Sequence, residues 1–319
     1  MNYNYYPPEG ERLYTKENLT YLSSLAQLER AMREQIILES VASVCDEDFN
    51  LHIDLGFIHA IIPREECLLT QNDEPIKDIA IITRVGKPVC FKVRSIEQDG
   101  SSYRAILSRR DAQIECRSYY ISSLIPGDII DASVTHLDTF GAFLDIGCGI
   151  VSLLSIDCIS ISRISHPADR LHCAQRISVA VKSVDHESGR IYVTLKELLG
   201  TWQENAADFC VGQTVFGIVR SIESYGIFVE LAPNLAGLAE LREDSPVLRG
   251  VKVGDGVSVY IKSIIPDRMK IKLVLIDRCN EAKAPAPLKY FIDRASSSHI
   301  DRWKYSPDEC PRIIQTLFE

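Results

Sequence analysis

One strand is written twice in this chain, and that repeat limits the fold more than any other feature. Residues 135–147 read THLDTFGAFLDIG and residues 220–232 read RSIESYGIFVELA. Each has an aromatic, a glycine, an apolar residue and a phenylalanine, then an apolar–acidic–apolar run. The repeat extends on both sides. GQTVFGIVRSIESYGIFVELAPNLAGLAEL reads as three strands, and DGVSVYIKSIIPDRMKIKLVLID as two more across a short turn at Pro266 and Asp267. The same order recurs in GDIIDASVTHLDTFGAFLDIGCGIVSLLSI followed by QRISVAVKSVDHESGRIYVTLK. It recurs more weakly in IILESVASVCDEDFNLHIDLGFIHAIIPREE and KPVCFKVRSIEQDGSSYRAILSRR, with an insertion over residues 65–87 between the halves. Five short strands per repeat, closing on themselves, make the pattern of a small Greek-key barrel of the OB type.

The expected fold class is therefore mainly β: three tandem five-stranded OB-type barrels joined by short helices. The expected divisions are an N-terminal tail and helix over 1–35, a divergent barrel over 36–115, a second barrel over 122–197, a third over 210–277, and a C-terminal tail with a short helix over 278–319. NLTYLSSLAQLERAMREQIILE has apolar residues at helical spacing. KELLGTWQENAADFCVG links the second barrel to the third, and Trp202 in it is expected to pack at the junction. RCNEAKAPAPLKYF reads as a tether, and Ser306 with Glu309 reads as a capping box for the terminal helix. HIDRWKYSP is unlike a disordered tail, because Trp303 and Tyr305 need something to pack against or bind.

Two aromatics three apart should point to opposite faces of a regular strand. A bulge at the intervening glycine would turn both to one side. The pairs are Tyr225 and Phe228 in the third repeat and Phe140 and Phe143 in the second, with Phe49 and His52 at the matching positions of the first. Core packing is the plain reading and a stacking platform the sharper one. In an OB barrel the second and third strands carry the oligonucleotide face, and a ring stacked on a base is worth roughly 1–3 kcal/mol with little sequence preference. Basic residues recur in the closing hairpins. Arg104, Arg190 and Lys270 start the fifth strand, while Lys92 or Arg94, Lys182 and Lys262 stand on the fourth. The implied ligand is single-stranded, because a duplex hides its base faces.

Charge restricts where such a ligand could lie. The net charge is −9, so a phosphate chain needs a local basic surface. Residues 36–115 carry nine Lys/Arg against fourteen Asp/Glu, residues 125–197 six against nine, and residues 210–277 eight against eight. The third segment repels phosphate least.

These residues carry a resemblance. The three repeats are similar to the S-one (S1) RNA-binding repeat, and their order and spacing resemble the bacterial ribosomal protein S-one family over residues 36–277. VGQTVFGIVRSIESYGIFVEL with LAGLAEL is the most specific match, and IDLGFIHAIIPREE and AILSRRDAQ resemble the divergent N-terminal units of that family. The resemblance implies an RNA face of two aromatics, a histidine closing the third strand, and an acid and a base around the last hairpin. It thus implies RNA-binding roles for Tyr225, Phe228, Asp267 and Lys270 in the third repeat, and for Phe140, Phe143, Asp185 and Arg190 in the second; Lys262 and Lys182 join them as expected RNA contacts from the recurrence of basic residues on the fourth strands. Glu240 and Ser155 stand where the histidine would be. The implied function is single-stranded RNA binding, messenger RNA above all, in translation. The small ribosomal subunit is a further expected partner.

Other function classes fit less well. There is no GxSxG nucleophile motif and no phosphate-cradling glycine loop, and His52, His59, His136, His166, His172, His186 and His299 are scattered singly. No catalysis and no cofactor are expected. The ten cysteines form no CxxC pair, so no metal is expected and they read as small buried apolar residues of a reducing cytoplasm. The start MNYNYYPPEGERLY has no basic, then apolar, leader pattern, and no membrane partner is expected. The chain is expected to be a monomer. The alternative is a protein-interaction or regulatory factor that docks on the ribosome or RNA-processing machinery without strong RNA binding of its own. Salt dependence separates the two, since binding through phosphates weakens steeply with salt.

Overall fold

A computed structural model describes residues 6–70, 74–99, 102–185, 189–240, 250–279, 287–292 and 297–319. His186, residues 241–249 and residues 280–286 of the tether lie outside the described residues. The chain divides into two compact bodies, one of residues 1–124, 131–133 and 145–151, the other of residues 125–130, 134–144 and 152–319.

In the first body, two short helices lead into a sheet. They are α1 (Lys16–Tyr21) and α2 (Leu25–Glu34). Ser24 caps α2 by accepting from the Gln27 amide, and Leu28 and Ala31 form its buried face. The sheet contains β1 (Leu38–Val41), β2 (Val44–Cys45), β3 (Leu51–Asp54), β4 (His59–Ile62), then α3 (Asp78–Ile82), β5 (Pro88–Asp99) and β6 (Ser102–Ser108), in the order β1-β5-β6-β4-β3-β2. The expected first strand is split. Ala42 donates to Lys87, on the β5 side, whereas Ser43 donates to His52 of β3. The strand changes partner between these two residues, so its halves form the two edges of a curled six-stranded sheet. The helix α4 (Arg109–Tyr119) follows, capped by Ser108. Glu9 and Arg109 form a buried ion pair of 2.6 Å. Burial works against the Glu9 carboxylate, but the Arg109 guanidinium outweighs it and holds the Glu9 pKa below the ordinary range.

The second repeat closes as a five-stranded barrel of β7 (Ile129–Asp138), β8 (Gly141–Asp145), β9 (Val151–Ser155), β10 (Arg176–Asp185) and β11 (Arg190–Thr194), ordered β10-β11-β9-β8-β7. The helix α5 (Trp202–Ala206) follows, with a complete capping box between Thr201 and Glu204. The third repeat closes as β12 (Thr214–Glu223), β13 (Gly226–Ala232), β14 (Leu235–Glu240), β15 (Gly256–Ile265) and β16 (Lys270–Cys279), ordered β12-β13-β14-β16-β15. Alternation builds this core: Ile227 and Val229 of β13, Val257, Val259 and Ile261 of β15, and Ile271 and Leu273 of β16 all point inward.

Within the second body the two barrels are joined by buried polar groups. Arg170 pairs with Glu230, which also holds Arg220 at 2.7 Å, and Arg220 reaches Asp169 at 3.1 Å. The Asn234 side chain accepts from the Ile161 amide and donates to the carbonyls of Lys196 and Gly200.

The C-terminal segment packs back. Trp303 and Tyr305 are buried in the same core as Trp202. The Tyr305 hydroxyl donates to the Asn234 carbonyl at 2.7 Å, and the Trp202 amide to the Tyr305 carbonyl at 3.0 Å. The tether's second half is seated too, as the Phe291 amide donates to the Leu198 carbonyl. The expected terminal helix is absent. Residues 302–317 form a hairpin of β17 (Arg302–Lys304) and β18 (Gln315–Leu317), and Ser306 accepts from the Ile314 amide instead of capping a helix. Pro311 explains the difference: inside a helix starting at Ser306 its ring would clash with a carbonyl of the preceding turn.

Candidate nucleic-acid interface

The two aromatics of the third barrel share one side without a bulge between them. Pairing of β12 with β13 runs unbroken through Ser221–Phe228, Ile222–Ile227 and Glu223–Gly226, and its shift lies further back, between Val219 and Ser221. Phe228 points outward between the buried Ile227 and Val229. Tyr225 is not in the strand at all. It stands in the turn before β13, 60% exposed, where strand alternation does not bind it. The expected bulge at the glycine is thus replaced by a turn. The glycine answers a question of space, because a Cβ on Gly226 would lie 2.6 Å from Leu238 Cδ1 and 2.9 Å from the Ala239 carbonyl oxygen. On Gly141 it would lie 2.5 Å from the Leu154 carbonyl oxygen.

Tyr225 and Phe228 meet edge to face, centroids 6.3 Å apart. Phe140 and Phe143 repeat the arrangement at 5.8 Å, with Phe140 half-exposed in the turn before β8. Among the described residues, Phe49 and His52 of the first repeat form no such pair. Phe49 has a left-handed backbone (φ 64°), packs on the core, and carries the Arg64 guanidinium 5.0 Å from its ring centroid. His52 hydrogen-bonds His59 and Asp46, each at 2.8 Å. The bond from His52, with Asn50 adding to it, holds the Asp46 carboxyl down to about 2.

The basic residues of the fourth strands occupy one structural position. Arg94, Lys182 and Lys262 each sit where pairing with the last strand shifts, after Val93, Val181 and Ile261 and before a serine. Their surroundings differ. Arg94 is taken up by Asp111, through two hydrogen bonds, and by Glu66 at 2.6 Å. Lys182 donates to the Cys158 sulfur at 3.2 Å, and that bond raises its pKa. Lys262 is exposed and has no ion-pair or hydrogen-bond partner among the described residues.

The hairpin ends complete the picture. Asp185 lies opposite Arg190, which is exposed at the start of β11. Lys270 is exposed at the start of β16 opposite Ile265, while Asp267 stands in the turn beside Arg268 at 3.7 Å and not beside Lys270. Glu240 pairs with Lys272 at 3.4 Å, which offsets part of its repulsion for phosphate. Ser155 hydrogen-bonds Asp157 and is the main cause of that carboxyl's lowered pKa. Two residues escaped the sequence reading. Lys272 shares a cross-strand row with Phe228 through Leu238, a placement hinted at by the period-two spacing of Lys270 and Lys272. His136 stacks on Phe143, and nothing in the repeat pattern marks it because Ser221 takes its place in the third barrel.

Among the described residues no cluster of three or more His, Cys, Asp or Glu could hold a metal ion. No described helix is long and apolar enough to cross a membrane.

The family described as S1 RNA binding domain matches residues 123–196. Small ribosomal subunit protein bS1 of Rhodopseudomonas palustris is 29% identical over 83% of this chain and 47% of its own length. The bS1 proteins of Leuconostoc lactis and Staphylococcus aureus are 30% and 31% identical, over 68% and 62% of this chain and 50% and 52% of their own lengths. The chain thus spans about half the length of these relatives. A solved multidomain protein with nucleic acid binding domains from Streptococcus pneumoniae is 14% identical over 77% of this chain and 74% of its own, with a TM-score of 0.24.

Proposed function

We propose, from the premise that this chain is a tandem S1-repeat relative of small ribosomal subunit protein bS1, that it holds single-stranded RNA on the aromatic faces of its second and third barrels. The observation that carries the reading is the edge-to-face pair built twice, each with one ring half-exposed or more in a turn. Tyr225, Phe228, Phe140 and Phe143 stack on bases. Lys262, Lys270, Lys182 and Arg190 meet phosphates, and Asp267 and Asp185 accept from sugar hydroxyls or base edges. Each site is weak alone, and linkage of two barrels raises the effective concentration of the second contact. In this reading the RNA is messenger RNA, held in the cytoplasm during translation; the relatives' name, small ribosomal subunit protein, supports the ribosomal setting.

The first repeat takes a different part in this reading. Its fourth-strand cation is consumed by carboxylates and its aromatic packs on the core. It serves as the docking or structural element.

The test is a competition assay with a labelled single-stranded RNA of about a dozen nucleotides, a length on the scale of one or two OB-type sites. Unlabelled single strands should displace it and duplex of the same sequence should not, and affinity should fall steeply as salt rises. Equal displacement by duplex, or no binding at low salt, would overturn the reading.

A further inference from the structure

The outward face of the second barrel carries a ring that the third lacks. His136 of β7 is exposed, and its imidazole lies along Phe143 with centroids 6.1 Å apart and planes 26° apart. Phe143 in turn meets Phe140 edge on, at 89°. Three rings therefore lie in sequence at the turn between β7 and β8. In the third barrel Ser221 stands at the matching place, directly opposite Phe228 in the strand pairing. At that place the third barrel has a hydroxymethyl group beside Tyr225 and Phe228 instead of a third ring.

His136 has no structural duty that explains it. It makes no hydrogen bond or ion pair among the described residues, and its contact with Phe143 is its one ring contact there. A buried histidine is commonly fixed by a partner on each nitrogen. This one is exposed, with both nitrogens unpaired. An imidazole has a flat π face for stacking and two ring nitrogens for a base edge or a phosphate oxygen.

We propose that His136 is the third ring of the second barrel's RNA-contact surface. A further base of single-stranded RNA stacks there, and the ring nitrogens reach its polar edge. The second barrel then grips RNA over a longer stretch than the third, although its segment carries more acid than base. This inference rests on the RNA-binding reading above and adds a residue to it.

The experiment uses the full chain and a fluorescein-labelled oligoadenylate of about twelve nucleotides, followed by anisotropy at low salt. His136→Ala should weaken binding about 5- to 10-fold, the lower part of the range for loss of one stacked base, with thermal unfolding unchanged. His136→Phe, which keeps the flat face, should lose less than about 3-fold. Ser221→His in the His136→Ala chain should recover part of the loss by building the missing ring in the third barrel. If His136→Ala binds like the wild type while Phe140→Ala/Phe143→Ala is weakened, the inference about His136 is wrong and the RNA reading stands. If the wild type does not bind the oligonucleotide at all, both fail.

Discussion

Tyr225 meets Phe228 edge to face, their planes at 88°, although only Phe228 belongs to a strand. A pair of this kind is worth about 0.5–1.5 kcal/mol beyond the area it buries, and it holds a half-free ring in one orientation. The second barrel reaches the same geometry with Phe140 and Phe143. What permits it is close approach of neighbouring strands to a residue without a Cβ.

Gly141→Ala should therefore damage the second barrel. The new methyl group would meet the Leu154 carbonyl oxygen at 2.5 Å, and a backbone atom cannot rotate away. A loss of about 1–3 kcal/mol in urea unfolding is expected, on the scale of overpacking. Gly226→Ala should cost less, since its nearest obstacle is the end of the Leu238 side chain. Equal stability of Gly141→Ala and wild type would show that the glycine is not there for space.

The ion cluster around Glu230 should be unforgiving. Arg170, Arg220 and Glu230 are almost fully buried, and burial pushes the Arg170 pKa down against the pull of Glu230. Glu230→Gln removes the shared anion and leaves two buried guanidinium groups facing each other. About 3 kcal/mol of destabilisation is expected from chemical denaturation. A change below about 1 kcal/mol would mean that water or Asp169 already compensates the charges.

Glu39 should give the first body a pH-dependent stability. Burial pushes its carboxyl from 4.5 up to about 7, although the amides of Gly10, Arg12 and Leu13 favour the anion. A carboxyl raised on folding holds a proton that the unfolded chain has released. Its stabilising share is complete below 4.5 and is lost as pH rises through about 7. Glu39→Gln cannot ionise, so its stability relative to wild type should improve across that window, by at most about 1.4 kcal/mol per pH unit. Paired urea titrations at either end of the window measure this, and a constant difference would contradict it.

Arg94 and Lys262 occupy matching positions yet should behave oppositely. Lys262→Ala should reduce the salt slope of RNA binding by about 0.7, the share of one phosphate contact on a single strand. Arg94→Ala should leave that slope unchanged and lower stability, because Glu66 and Asp111 lose their common partner. Salt titrations of both variants, with thermal unfolding of each, decide the matter.

Much of this was legible in the sequence, for a physical reason. Strand alternation and recurrent turns are local, so three repeats of five strands could be read from residues such as Ile227, Phe228 and Val229. The pairs Phe140–Phe143 and Tyr225–Phe228 were visible for the same reason. Tertiary circumstances were not. Arg94 and Lys262 look equivalent in the sequence, and only folding brings Glu66 and Asp111 to one of them. Ser306 and Glu309 satisfy a local helix signal, but Pro311 and the pairing of Trp303 with Thr316 decide for a hairpin. The first strand's split at Ala42 and Ser43 depends on which distant strand each residue meets.

If the paired rings are an RNA platform, removing them must release the RNA. Anisotropy titrations of a labelled single-stranded RNA would be run with wild type, Tyr225→Ala/Phe228→Ala, Phe140→Ala/Phe143→Ala and all four substitutions together. Each double substitution should weaken binding by about 2 kcal/mol, and the fourfold variant should bind least. Wild-type affinity in all the variants, with unfolding transitions intact, would contradict the account and return the rings to a protein-contacting or purely structural role.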